Sequence, residues 1–118
     1  MSTPEPKRGE IWWVNFDPSA GAEIQKTRPA LVVSADGLGK LPLRIVVPIT
    51  DWKPNHANSH WFVEIQPNPS NGLSKASGAD AFQVKSVSLR RFRDKVGVVT
   101  AAQLEDVAAA IAICVGAP

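Results

Sequence analysis

The sequence predicts a mainly β fold, a small and strongly bent β-barrel with short α additions, capped by one C-terminal helix. Short runs rich in β-branched and aromatic residues recur along the chain, and turn residues separate them, with 10 prolines and 8 glycines in all. No alternation of strands with helices is visible, which argues against a doubly wound parallel sheet. The 118 residues are enough for one domain and too few for two.

Six segments have the composition of strands: 10–16, 30–34, 44–50, 61–65, 81–89 and 96–99. The segments 30–34 and 44–50 are continuously apolar, as in strands that are covered on both faces. Pro48 lies inside one of them and lacks an N–H donor, so we expect a bulge or a sheet edge there. Gly97 is a candidate for a bulge in the last strand.

The end of the chain changes to a helical period. Thr100 and Gln103 form a capping-box signature, in which each side chain bonds the backbone N–H of the other residue. Five apolar residues then recur on one helical face: Leu104, Val107, Ala108, Ile111 and Val115. Gly116 is expected to end the helix. Cys114 lies near the apolar face and is interpreted as a small buried hydrophobe.

Composition favours a soluble cytoplasmic protein without a cofactor. The 44% hydrophobic and 20% charged residues are typical of a folded globular chain. The apolar run 107–115 is too short to cross a bilayer, and residues 1–7 lack the apolar core of a signal peptide. We therefore expect no membrane association, a flexible tail at 1–7 and a single domain at 8–118.

Positive charge is concentrated in one segment. The net charge of the chain is only +2, but the stretch from Lys75 to Lys95 holds six cations against two carboxylates. Such a segment could face phosphate groups. It could equally be a solvated strand edge and turn.

Most catalytic and metal-binding patterns are absent from the sequence. It contains no glycine-rich phosphate loop, no helical zinc motif and no nucleophile elbow. His56 and His60 are four apart but lie in a proline- and asparagine-containing stretch, and no third ligand accompanies them. They are interpreted as exposed loop histidines, and no metal or cofactor is expected.

One polar loop, 21–30, does point to chemistry. It ends with Arg28 at the entry to an apolar strand, and Pro29 restricts Arg28 to an extended backbone. A fixed guanidinium beside a basic loop suits a phosphate, whose oxygens match its paired donors. A structural ion pair, for instance between Arg28 and Glu23, would explain the same residues.

Several motifs occur together along the chain: RGEIWWV at 8–14, FDP at 16–18, GAE at 21–23, TRPALVVS at 27–34, VVPIT at 46–50 and, less specifically, QVKSV at 83–87. In this order and spacing they resemble the MazF/PemK/Kid toxins of bacterial toxin–antitoxin modules. The resemblance implies an SH3-like barrel that forms a homodimer. It also implies metal-independent, sequence-selective cleavage of single-stranded RNA (mRNA), by attack of a ribose 2′-hydroxyl that leaves a 2′,3′-cyclic phosphate and a 5′-hydroxyl.

The resemblance also assigns site residues. Arg28 matches the family's catalytic arginine, Thr50 its catalytic threonine, and Glu23 an acidic loop residue that is a candidate proton acceptor. The RNA-binding candidates are Lys26, Thr27, Gln83, Lys85 and Ser86. Two structural interpretations stay open: Thr50 as a strand-end hydroxyl that bonds the backbone, and Glu23 as a carboxylate that only orders Lys26 or Arg28.

Three residues depart from the family pattern. Phe82 replaces a common aspartate, Ala22 a histidine found in some relatives, and Ile24 a frequent glutamine. Phe82 could stack on a base or fill the core. An altered recognition sequence or a slower enzyme is the expected consequence.

The resemblance implies one further partner, and it leaves two other functions to weigh. The partner is a cognate antitoxin whose acidic, disordered tail folds onto the toxin, and the segment from Lys75 to Lys95 is a candidate for its contact.

The other functions are a CcdB-like, non-enzymatic DNA gyrase poison on the same fold and a degenerate RNA-binding domain without cleavage. The presence of both Arg28 and Thr50 favours the nuclease over the gyrase poison.

Overall fold

One bent antiparallel sheet of seven strands, followed by a helix, makes up the computed structural model, which describes residues 4–117. The strands are β1 (Glu10–Asn15), β2 (Thr27–Val32), β3 (Leu43–Asp51), β4 (Phe62–Ile65), β5 (Ser77–Asp80), β6 (Lys85–Ser88) and β7 (Phe92–Val98). Their order is β4-β5-β3-β2-β1-β7, with β6 paired to β3. The predicted mainly β fold with a C-terminal helix is confirmed, although the sheet is bent rather than closed.

β3 is the strand on which the architecture depends. On one side it pairs with β2, and on the other side it pairs with β6 as far as Val46 and then with β5 from Ile49 onward. Pro48 lies at this change of partner, where the ladder on that side is interrupted. The sheet edge expected at Pro48 is therefore present, because a residue without an N–H is tolerated where no pairing is needed.

The prediction of one strand over 81–89 was wrong. That segment is a 3-10 turn (Ala81–Gln83), β6, and a second 3-10 turn that begins at Leu89. The preceding β5 was not predicted, because its sequence SGAD has low strand propensity. Packing explains it, since a Cβ placed on the buried Gly78 would lie 3.2 Å from ring carbons of both Phe62 and Trp52.

A bulge accompanies Gly97, as expected. Ile11 pairs with Gly97 but Trp12 pairs with Lys95, so Val96 is the extra residue on β7. A Cβ on Gly97 would lie 2.3 Å from the carbonyl carbon of Asn71. The loop around Asn71 can therefore pack directly against this strand.

The apolar side chains form two clusters on the bent sheet. The larger lies between the sheet and the helix, and its buried members are Ile11, Leu31, Val47, Ile49, Ile65, Ala79, Val99 and Val107. The second is centred on Phe16 and Phe92. Both clusters contain side chains from β2 and from β3, so packing on two sides fixes the position of these strands relative to each other.

Helix α1 (Ala101–Cys114) has the predicted capping box. Thr100 N donates to Gln103 Oε1 (3.0 Å), and Gln103 N donates to Thr100 Oγ1 (3.1 Å). Gly116 follows the helix with φ +69°. Val115 does not belong to the buried face as predicted, because it lies beyond the last helical residue and is 69% exposed.

Residues near both ends of the chain contact the rest of the fold. Residues 1–3 of the expected flexible tail lie outside the described residues, whereas Pro6 is buried and its carbonyl accepts from Arg44 Nε (2.9 Å). Cys114 is half-buried, and burial together with the charge of Asp80 raises the pKa of its thiol. Within residues 4–117, no helix is both long enough and apolar enough to cross a membrane.

Candidate active site

Arg28 and Thr50 lie side by side on neighbouring strands. β2 and β3 pair from Val32 opposite Val46 to Ala30 opposite Pro48, and Arg28 and Thr50 each lie two residues beyond that last pair. Both residues line a cleft of about 240 Å³. The other residues that line it are Ile24, Asp51, Lys53 and His56. The fold thus brings together in one cleft the two residues that the sequence singled out.

The side chain of Arg28 is oriented so that it can bind an anion. Its Nε donates to the carbonyl of Gln25 (3.1 Å), which fixes the side chain at the mouth of the loop. Within the described residues its two terminal nitrogens have no hydrogen-bond partner. Thr50 Oγ1 makes only a long contact with the carbonyl of Asp51 (3.5 Å), so the hydroxyl can turn to another acceptor.

A second cleft extends from the first along the strand ends. It shares Arg28, Thr50 and Asp51 with the first cleft and adds Thr27, Lys75 and others, with a volume of about 300 Å³. Asp51 is paired with Lys75 (3.0 Å), and both side chains are well exposed. Opposite charges therefore meet on one wall of the site, which leaves Arg28 and Lys53 as the unpaired cations of the two clefts.

Glu23 occupies a different position from the one its predicted role requires. Its Oε1 accepts from the backbone N–H of Ala20 (2.6 Å), so it closes its own turn. It lines a neighbouring cleft with Phe82, Gln83 and Lys85 rather than the Arg28–Thr50 cleft. The ion pairs considered for it with Lys26 or Arg28 are not formed among the described residues.

Gln83 holds the loop that leads to Arg28. Its Oε1 accepts from Ile24 N (2.8 Å), and its Nε2 donates to the carbonyl of Ala22 (3.0 Å). From the other side, Arg91 donates to the carbonyls of Asn15 and Asp17. The segment from Asn15 to Lys26 is therefore clamped at both ends by residues distant in sequence.

Lys26 shows how tightly this loop is built. Its φ of +68° lies in the left-handed region, which residues other than glycine rarely adopt. Asp17 Oδ1 accepts its N–H (3.0 Å), and its carbonyl accepts from Phe16 N (2.9 Å). Strain of this kind persists only where surrounding contacts determine the backbone, and it is concentrated at functional sites.

The remaining RNA-binding candidates are spread over the surface. Thr27 lines the second cleft beside Arg28, and Lys85 lines the cleft that holds Glu23. Ser86 is on β6 and faces a separate depression near Ser34, so the structure does not bring it to Arg28. Phe82 is 67% exposed, which shows that the core-filling interpretation was wrong.

Sequence reasoning missed Asp51, Lys53 and His56. His56 lies in a 3-10 helix (Pro54–Asn58), is half-buried and lines the Arg28–Thr50 cleft, so its interpretation as an exposed loop histidine was wrong. The aromatic residues near it in sequence, Trp52 and Phe62, were the available signal. Only the tertiary fold carries this turn over β5 to reach the cleft.

Several cations of the 75–95 segment have structural partners. Lys95 pairs with Glu10 (2.8 Å), and Arg93 donates to the carbonyls of Arg90 and Phe92. Burial raises the pKa of Glu10, but hydrogen bonds from Lys95, Trp12 and Lys7 outweigh it, so the pKa is lowered. With Arg91 in the loop clamp, Lys85 and Arg90 are the cations of this segment that stay available to a polyanion.

One buried acidic oxygen lies at the end of β5. Among residues 4–117, Asp80 Oδ1 is the buried side-chain oxygen or nitrogen that lacks a hydrogen-bond partner. Burial raises the pKa of this carboxyl, and the nearby backbone N–H groups of Phe82 and Gln83 only partly oppose that rise. In the same range, no group of three or more His, Cys, Asp or Glu side chains is placed to hold a metal ion.

Comparison with known proteins gives one family. The family model described as "PemK-like, MazF-like toxin of type II toxin-antitoxin system" matches residues 7–115. Endoribonuclease MazF9 of Mycobacterium tuberculosis is 36% identical over 104 residues, which cover 83% of this chain and 86% of the relative.

Solved structures agree with that match. The crystal structure of MazF from Deinococcus radiodurans is 27% identical, with a TM-score of 0.78, and the alignment covers 94% of this chain and 96% of that one. A MazE–MazF structure from the same organism is 26% identical, with a TM-score of 0.72 and coverage of 96% and 98%.

Proposed function

The chain belongs to the PemK-like, MazF-like endoribonuclease toxins of type II toxin–antitoxin systems, and on that premise we propose that it cuts single-stranded RNA with Arg28 and Thr50 as its catalytic pair. The substrate is messenger RNA, cut at selected sequences, and the consequence is arrest of translation and growth. The observation that carries the proposal is that Arg28 and Thr50, from the neighbouring strands β2 and β3, line the same cleft.

The proposed reaction is an internal transfer at phosphorus. The ribose 2′-oxygen bonds to the adjacent phosphorus and loses its proton, and the bond from phosphorus to the 5′-oxygen breaks as that oxygen gains a proton. The products are a 2′,3′-cyclic phosphate and a 5′-hydroxyl. The crowded phosphorane carries extra negative charge, which donors fixed in advance can stabilise. Arg28 and Thr50 provide such donors, so no metal is required.

Arg28 is assigned to charge stabilisation. Its guanidinium stays protonated at any physiological pH, so it is a poor base. Glu23 is the proposed proton acceptor for the 2′-hydroxyl. Because its carboxylate bonds Ala20 N in the free protein, this role requires the turn to open when RNA binds.

The proposed RNA path runs from the Arg28–Thr50 cleft toward the cleft lined by Glu23 and Lys85. Lys26 and Thr27 flank Arg28, and Gln83 contributes by holding the loop. Ser86 would contact only RNA that extends past β6. Phe82 and Trp61, in edge contact at 6.2 Å between ring centroids, offer an exposed aromatic surface beside this path. Stacking of a base there is worth about 1–3 kcal/mol.

We further propose a cytoplasmic homodimer restrained by an antitoxin with an acidic, disordered tail. The MazE–MazF structure from Deinococcus radiodurans supports a protein partner for this chain. The available cations Lys85 and Arg90 suit an acidic tail. The matching relatives are named endoribonucleases, which disfavours the gyrase-poison alternative.

The test is cleavage of a long single-stranded RNA in excess EDTA, with Arg28→Ala purified in parallel. We expect discrete cuts with cyclic-phosphate and 5′-hydroxyl ends, reduced about 10²–10³-fold in the variant, as for the loss of one transition-state donor. Gln25→Ala is the matched control, since its exposed side chain lies in the same loop and makes only a 3.5 Å contact. RNA retained but not cut would overturn the proposal in favour of a binding domain.

A further inference from the structure

His56 is the cleft residue that the proposed function leaves without a role. It shares the cleft of about 240 Å³ with Arg28 and Thr50, although it reaches that cleft from a different part of the chain. The 3-10 helix that carries it starts at Pro54, whose fixed φ suits the first position of a helix. A short, stiff turn therefore presents this imidazole to the proposed site of phosphate binding.

The ring of His56 is held by aromatic contacts. It stacks on Phe62 with the planes 5° apart and the centroids 3.9 Å apart. Trp52 meets it edge to face, with centroids at 5.5 Å. Two such contacts fix the plane of the ring, and this is the preorganisation that a catalytic donor needs.

The two ring nitrogens have different surroundings. Nδ1 faces the protein: it accepts the backbone N–H of Lys53 (3.3 Å), and it lies 3.5 Å from the position of a Cβ on Gly78. A neutral imidazole that accepts at Nδ1 carries its proton on Nε2. Nε2–H is therefore the group that this ring can offer to a molecule in the cleft.

The charged residues around His56 favour binding of an anion in the cleft. Arg28 and Lys53 line the same cleft, and the carboxylate of Asp51 is engaged by Lys75. The carboxyl of Asp80 lies at the end of β5, two residues beyond Gly78. A phosphate in the cleft would meet donors from three separate segments of the chain.

We propose that His56 is a third catalytic donor, whose Nε2–H hydrogen-bonds an oxygen of the scissile phosphate alongside Arg28 and Thr50. This inference rests on the proposed function. It adds no proton transfer, because the proposed role is only a hydrogen bond from Nε2–H as charge develops on the phosphorane.

The test uses a short synthetic RNA that contains a cut site mapped on the long RNA, with cleavage rates measured in a single turnover at saturating protein. His56→Phe keeps the ring that stacks on Phe62 and removes the donor, and we expect its rate to fall about 10²–10³-fold. His56→Gln restores an N–H donor, and we expect it to recover at least about tenfold over His56→Phe. His60→Phe, an exposed histidine outside the cleft, should match the unmodified protein.

Binding is measured separately with the same RNA carrying a 2′-deoxyribose at the cut site, which cannot react. We expect the Kd of His56→Phe to stay within about threefold of the unmodified protein, because the donor acts on charge that develops in the transition state. Circular dichroism and Tm check that each variant is folded.

The possible failures are distinguishable. If the unmodified protein cuts and Arg28→Ala does not, but His56→Phe cuts at the normal rate, this inference alone is wrong. Equal losses in His56→Phe and His56→Gln would also overturn it, since a donor in place of the imidazole would have no effect. An unmodified protein that leaves RNA intact would overturn the proposed function itself.

Discussion

Glu10 is a residue whose charge stabilises the fold rather than the site. Its carboxylate accepts from Lys7 N (2.8 Å) and Trp12 Nε1 (3.0 Å) and pairs with Lys95 across β1 and β7. These donors hold the ionised form and lower its pKa despite partial burial. A carboxyl whose pKa is lowered by folding stabilises the protein above its unfolded pKa, and that contribution is lost as the pH falls through the folded pKa.

We therefore expect Glu10→Gln to lower the free energy of unfolding at pH 7 by about 1 kcal/mol. The difference should shrink as the pH falls below the ordinary glutamate pKa of 4.5 and should be small near pH 3. Urea unfolding at the two pH values measures it. Glu64→Gln is a control, because Glu64 is an exposed carboxylate that contacts only Gln66 among the described residues. An equal loss at both pH values would contradict the assignment.

At the level of elements, the Asn15–Lys26 loop depends on one amide side chain. Gln83→Ala removes both hydrogen bonds that hold Ala22 and Ile24, and we expect hydrogen exchange at the Ile24 amide to speed up by about tenfold or more. The global stability should fall by only about 1–2 kcal/mol, since β6 and its partner β3 are untouched. Exchange of Ile24 measured by NMR is the direct readout, and Gln25→Ala should leave it unchanged. Unaltered protection in Gln83→Ala would mean that the clamp at Arg91 alone is sufficient.

Elements also show where sequence reasoning succeeds. The apolar runs of β2 and β3 and the capping box at Thr100 were predicted correctly, because local composition determines them. Arg28 and Thr50 share a cleft because they lie on two adjacent antiparallel strands, each two residues beyond the last register pair. His56 and Lys53 were missed because no local pattern shows that a loop will fold over β5. β5 itself was missed because its sequence has low strand propensity. The rings of Phe62 and Trp52 pack so closely on position 78 that glycine fits best there, and strand propensity takes no account of such tertiary contacts.

The whole molecule has a surface that one protomer does not cover. Large apolar side chains are exposed at Trp13, Leu41, Leu43, Ile45 and Val98, among others. The interface of the proposed homodimer would cover side chains of this kind. We expect light scattering at micromolar concentration to give twice the chain mass of 12.7 kDa. A monomer mass that persists as the concentration rises would contradict the homodimer.

The aromatic cluster that holds His56 packs on a glycine. Phe62, Trp52 and His56 all lie over Gly78, and the first two leave only 3.2 Å for a Cβ there. A methyl group at position 78 would have to displace the rings by a few tenths of an ångström, and the imidazole would move with them. Gly78, a buried residue with no chemistry of its own, thus limits how closely the imidazole and the two neighbouring rings approach β5. Descendants of this protein could change its cutting speed at that position while every polar group of the site stays the same.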